Sequence, residues 1–129
     1  MEYNKREAII YWNPDVKRDK NTYNLVKQLT EHINDIDVRK NMPNSRQLIE
    51  MLDKLGRRAQ DLVDKGSTTY KEKFSDVELS EEEWLKALVA NPEMLYTPIV
   101  FLGDRGMIVD TPSRVLDLDP THGFNDFQV

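Results

Sequence analysis

Three cations gather in the stretch WNPDVKRDKNTY, residues 12–23: Lys17, Arg18 and Lys20. Pro14 interrupts an apolar run, and a helical pattern begins just beyond it. Helix starts attract anions, so cations there are unfavourable unless something negative is bound. The cluster has two readings. It could cradle a small anion, such as a phosphate or the carboxylates of glutathione. It could also be a solvated loop whose charges point away from the protein. The charge balance favours the second reading, because 23 acidic residues outweigh 18 basic ones for a net charge of -5.

Other chemistry is scarce. The chain has no cysteine. That excludes disulfides, thiolate nucleophiles, thiol redox sensing and zinc sites built on sulfur. His32 and His122 show no paired ligand spacing and read as incidental, so no metal site is expected. DLDPTHGFND, residues 117–126, lacks the calcium-loop pattern. Ser67, Thr68 and Thr69 have no evident base partner and read as a turn. Trp84 reads as core, and Trp12 closes a strand at the edge of the cationic loop.

The elements that must hold these residues follow from periodicity. EAIIYW, residues 7–12, reads as a short buried strand. From about Asp19, Leu25, Val26, Leu29 and Ile33 recur at helical spacing. NDIDVRKN then alternates through Ile36 and Val38 as a second strand, and strand–helix–strand implies a right-handed parallel crossover. Asn44 and Gln47 form a capping-box pattern before the stripe Leu48, Met51, Leu52 and Leu55, and Gly56 suits a left-handed C-cap. A short helix is expected near 59–64, then a turn at 66–69.

LSEEEWLKALVANPEML carries the clearest helix. Ser80 and Glu83 make a capping box, and Glu81, Glu82 and Glu83 complement the macrodipole. Trp84, Leu85, Leu88 and Val89 are the expected buried face. TPIVFLGDRGMIVD then reads as an antiparallel hairpin around 103–106. TPSRVLDL suits a closing helix with Thr111 as N-cap, Pro112 at the first position, and Val115 and Leu116 facing inward. The polar tail, 119–129, is expected to be loosely ordered, with Phe124 or Phe127 as anchors. The whole chain, 1–129, reads as one α/β domain: β-α-β, an inserted helical segment, a β-hairpin and a helix.

These elements resemble the arsenate reductase (ArsC)/Spx family, thioredoxin-like proteins with an inserted helical subdomain. The likeness rests on the strand–NP–loop–helix start with Thr22 after the loop, on LVANPEML followed by TPIV, and on PSRVLDL, and it spans roughly 7–118. It implies a mixed thioredoxin-like sheet and a cis bond before Pro98. It also implies that the nucleophilic cysteine would stand at Val16 and the resolving cysteine of redox-active members at Asp19. The three arginines that hold the oxyanion would fall at Asp64, Thr97 and Thr111. Neither cysteine and none of the three arginines is present, and of the three arginine positions the one taken by Asp64 carries a carboxylate that would repel an oxyanion.

The reading is therefore a catalytically degenerate ArsC/Spx-like protein, used for binding or regulation through a protein partner, with no catalytic residue and no required cofactor. The likeness to Spx regulators, which bind RNA polymerase, is the source of the regulatory reading. The alternative is a cysteine-independent enzyme or binder. It would hold a small anion or glutathione with Lys17, Arg18, Lys20 and the Thr97 backbone beside Pro98. The acidic balance gives no basis for direct nucleic-acid binding. No apolar run is long enough to cross a membrane, and the charged N-terminus lacks a signal-peptide pattern. A cytoplasmic location is expected.

Overall fold

The computed structural model describes residues 7–119. A four-stranded sheet runs in the order β2-β1-β3-β4. Strand β1 (Ala8–Trp12) leads through helix α1 (Lys17–Leu29) to β2 (Ile33–Asp37), which pairs parallel to it. Strands β3 (Ile99–Leu102) and β4 (Arg105–Ile108) form the hairpin, with β3 antiparallel to β1. This is the expected α/β, thioredoxin-like arrangement.

Between β2 and β3 lie helix α2 (Ser45–Leu55), a 3-10 turn at Ala59–Leu62, a π-type turn at Tyr70–Phe74, helix α3 (Glu81–Ala90) and a 3-10 turn at Pro92–Met94. A 3-10 helix at Pro112–Leu118 is the last element among the described residues.

The period of two along each strand divides the core in two. On one face Ile9, Tyr11, Ile99, Phe101 and Ile108 meet α2 and α3. On the other, Ala8, Ile10, Trp12, Val100 and Leu102 meet α1 and the closing helix. Central β3 is buried on both faces, which is why IVFL has no polar alternation. Gly106 opposes Phe101 across the hairpin, and a Cβ there would come within 2.4 Å of the ring.

Capping follows the sequence closely in the inserted segment. Both capping boxes form, Asn44 with Gln47 and Ser80 with Glu83. Gly56 ends α2 in the left-handed region, at φ 66°.

Five expectations are corrected. Helix α1 begins at Lys17, so Lys17, Arg18 and Lys20 sit in its first turn instead of a loop. Ile33 starts β2, because Thr30 already has extended backbone and ends the helix. Val89 is 37% exposed, and Ala87 completes the buried face of α3. Thr111 makes no side-chain cap, the closing helix is 3-10, and Leu118 is buried more deeply than Leu116. Residues 70–74 continue beyond the turn at 66–69, because Tyr70 and Phe74 pack against Trp84. The expected loose tail, with Phe124 and Phe127, lies outside the described residues except for Asp119.

Candidate functional site

The site is built around the segment that joins β1 to α1. Asn13 fixes its shape. Its side-chain carbonyl accepts the Asp15 N–H at 2.9 Å, and its backbone carbonyl accepts the Val16 N–H at 3.0 Å. These bonds fold Asn13–Val16 into a tight turn, which Pro14 favours. Val16 is the helix N-cap and offers no side-chain acceptor. The positive end of α1 is therefore uncapped, and Lys17 and Arg18 add positive charge to it.

Asp19 counters them from the third helical position. Its side chain is fully buried, and Oδ2 accepts the Asn13 N–H at 2.8 Å. Its other oxygen, Oδ1, is buried without a hydrogen-bond partner among the described residues. Burial raises the Asp19 pKa above the ordinary carboxylate value. The Thr97 side chain, the Asn13 N–H and Arg18 pull the other way without cancelling that effect.

Arg18 turns inward. Its Nε and Nη2 both donate to the Thr97 carbonyl, at 3.0 and 2.6 Å. The guanidinium carbon lies 4.4 Å from the Tyr96 ring centroid, a cation–π contact. Arg18 Nε stands 3.8 Å from Asp19 Oδ1, within ion-pair range but too far for a hydrogen bond. Thr97 and Pro98 are both buried and joined by a cis peptide bond, as the resemblance implied. Thr22 Oγ1 donates back to the Arg18 carbonyl at 2.8 Å. Behind the turn, Trp12 stacks on Tyr23 at 4.5 Å, and its indole Nε1 is buried without a partner among the described residues.

Two clefts share the Tyr96–Thr97 segment. One, of about 400 Å³, is lined by Asn13, Val38, Arg39, Pro92, Glu93, Leu95 and Thr97. Arg39 donates from Nη1 to Asp15 and from Nε and Nη2 to Asp37, at 3.0 and 2.8 Å, tying the turn to the end of β2. Arg39 also holds the Asp37 carboxyl below its ordinary pKa. Glu93 accepts the Thr69 hydroxyl at 2.6 Å, which lowers its pKa. The second cleft, of about 480 Å³, is lined by Arg57, Asp61, Asp64, Lys65, Tyr96 and Asp110, among others.

Of the residues proposed from sequence, the structure brings together Arg18, Thr97 and Pro98. Lys17 and Lys20 are exposed, and Val16 is half-buried at the helix start. Asp64 lines the second cleft with its Oδ1 accepting the Gly66 N–H, and Thr111 is exposed. His32 is exposed, and His122 lies outside the described residues. No group of three or more metal-ligating side chains occurs among the described residues.

Sequence reasoning missed Asp19 as a buried acid, along with Arg39 and Tyr96. Asp19 left a signal. Positions 19, 22, 26 and 29 form one helical stripe, and all four are buried. A stripe traced back from Leu29 therefore places a carboxylate on the inner face. Arg39 and Tyr96 left none, since their contacts depend on the tertiary fold.

The ArsC family model matches residues 11–116, a span that includes the turn, Asp19 and the Thr97–Pro98 pair. The chain belongs to the ArsC family. It is 29% identical over 115 residues to YfgD, an uncharacterized protein of Escherichia coli strain K12, covering 88% of this chain and 97% of that one. Among structures it resembles a Yersinia pestis protein provisionally assigned as an arsenate reductase. That match has a TM-score of 0.79 and 27% identity, over 86% of this chain and 99% of the other. The arsenate reductase of Vibrio cholerae has a TM-score of 0.80 at 22% identity over 88% and 98% of the two chains, which supports the shared fold. This ArsC-family chain keeps the frame of the family and has no cysteine to place in it.

Proposed function

We propose that this ArsC-family protein is a non-catalytic member that uses the scaffold to bind a protein partner in a regulatory role. One observation carries the reading: where the resemblance calls for the thiol nucleophile the chain has Val16, and it has no cysteine elsewhere. An alkyl side chain can neither attack an electrophile nor hold a negative charge. The three positions of the oxyanion clamp support the same reading. Asp64 would repel an anion, Thr97 is neutral, and Thr111 is exposed. The bacterial relative at 29% identity supports a bacterial source.

The alternative, a cysteine-independent binder of a small anion or glutathione, draws on the same turn. Arg18 is its best-placed cation, but two of its guanidinium nitrogens already serve the Thr97 carbonyl. A ligand there must compete with a contact the chain makes with itself. Melting curves with millimolar phosphate, arsenate or glutathione separate the readings, because a ligand at 100 times its Kd stabilises by about 2.7 kcal/mol. The partner-binding reading predicts no shift with any of the three, together with specific retention of a protein from native lysate. A saturable shift with one of them would move the assignment to the small-ligand reading.

A further inference from the structure

Two side-chain atoms are buried without a hydrogen-bond partner among the described residues, Trp12 Nε1 and Asp19 Oδ1. They are chemically complementary, since an indole N–H can only donate and a carboxylate oxygen accepts. They also belong to one place in the fold. Asp19 Oδ2 accepts the N–H of Asn13, the residue that follows Trp12. Tyr23 lies one turn beyond Asp19 on α1, so the two side chains share a face of the helix. The Tyr23 ring stacks on Trp12 with centroids 4.5 Å apart. The end of β1 and the start of α1 therefore hold a buried donor and a buried acceptor that are not bonded to each other. A buried polar group left unpaired is costly, so each needs a partner.

The neighbouring groups do not serve both. Arg18 Nε stands 3.8 Å from Asp19 Oδ1 and already donates to the Thr97 carbonyl. Closing on Oδ1 would satisfy the carboxylate and leave Trp12 bare, because a guanidinium accepts nothing. A metal cation or an ammonium group fails for the same reason. An anion fails at the carboxylate, which repels it. The partner must be neutral, must accept on one side and donate on the other, and must be small enough for a joint in which Asp19 is fully buried. Water meets each condition, and buried waters characteristically have two to four polar partners.

We propose that the joint between β1 and α1 is a binding site for one ordered water, which accepts from Trp12 Nε1–H and donates to Asp19 Oδ1. Two hydrogen bonds through a water span roughly 4.5–5.5 Å, a reach the two side chains do not close on their own. The water ties the last residue of β1 to the first turn of α1, in parallel with the bond from the Asn13 N–H to Asp19 Oδ2. It also gives the buried carboxylate a donor that the surrounding side chains withhold. The inference is independent of the binding reading above, because the water belongs to the scaffold whether or not a partner docks.

The test is the NOE and ROE between water and the Trp12 indole proton in the full chain at neutral pH, with Trp12→Phe to assign the signal. A water held at the joint turns with the protein, and its NOE and ROE cross-peaks have opposite signs. Thr97→Val removes a hydroxyl that acts on Asp19, and Tyr23→Phe removes the hydroxyl of the stacked ring; the signal should survive both. Asp19→Leu removes the acceptor and should abolish it. If Asp19→Leu does not fold, the wild type and the two hydroxyl variants decide. Absence of the signal in the wild type overturns the proposal. Its loss with either hydroxyl does the same, by assigning the signal to exchange relayed through that group, as does its survival in Asp19→Leu.

Discussion

Helices α1 and α3 begin in opposite ways. Helix α3 opens on Ser80, whose hydroxyl accepts the Glu83 N–H at 3.2 Å while the Glu83 carboxylate accepts the Ser80 N–H at 2.9 Å, and three glutamates fill the first turn. Every local rule for a helix start is obeyed there. Helix α1 opens on a valine with no cap, places Lys17 and Arg18 at its positive end, and buries Asp19 with one oxygen lacking a hydrogen bond among the described residues. Local rules are kept where a helix serves only the scaffold, and departures from them tend to collect where a site is maintained. The α1 start departs from them at the turn the family resemblance marks as the site, and the chain has no cysteine to place there.

Breaking the contrast at Arg18 should have the largest effect. Arg18→Ala leaves the Thr97 carbonyl bare and removes the cation beside Asp19, and we expect a loss of about 2–3 kcal/mol in urea denaturation at neutral pH. Asp19→Asn should act in the opposite direction, stabilising the fold by roughly 1–2 kcal/mol at neutral pH, within the range of single stabilising changes. The sign follows from the raised folded-state pKa of Asp19. The folded state holds the proton more tightly than the unfolded chain. Stability relative to Asp19→Asn is therefore highest below the ordinary carboxylate value, and it falls as pH rises through the folded pKa. Denaturation curves of the two proteins should converge on acidification; a gap that widens would contradict the assignment of burial as the dominant cause.

Smaller effects sharpen the comparison from the other side. Ser80→Ala and Asn44→Ala should each cost about 1 kcal/mol by calorimetry, as loss of an N-cap does. Val16→Ser would supply the cap that α1 lacks and should add about 0.5 kcal/mol if the start of α1 is unfavourable for the reason given. A cost on removing the caps together with a gain on adding one would establish that α1, and not helix starts in general, departs from the local optimum.

The sequence displayed the scaffold well because its signals are local. Capping pairs three residues apart, the left-handed glycine at 56, and the two apolar runs of the hairpin depend on neighbours in the chain. Val89 and Ile33 show the limit: apolar character alone placed one inside and extended a helix through the other. The candidate site was legible in outline, since Arg18, Thr97 and Pro98 could be named from residue type and resemblance. How they meet was not legible. The bond from Arg18 to Thr97 joins residues 79 positions apart, and Arg39 reaches Asp15 across 24. Asp19 lies between these cases, readable from its helical stripe but misleading by its charge, because carboxylates are rarely buried without a partner.

The central claim is that this ArsC-family scaffold performs no thiol chemistry. Turnover of arsenate by the purified chain, followed in the presence of glutathione and glutaredoxin, tests it most directly. The same assay on Val16→Cys asks whether a thiol alone is enough without the three arginines. The account predicts no rate above the enzyme-free background for the wild type, and none for Val16→Cys. Measurable turnover by the wild type would contradict it.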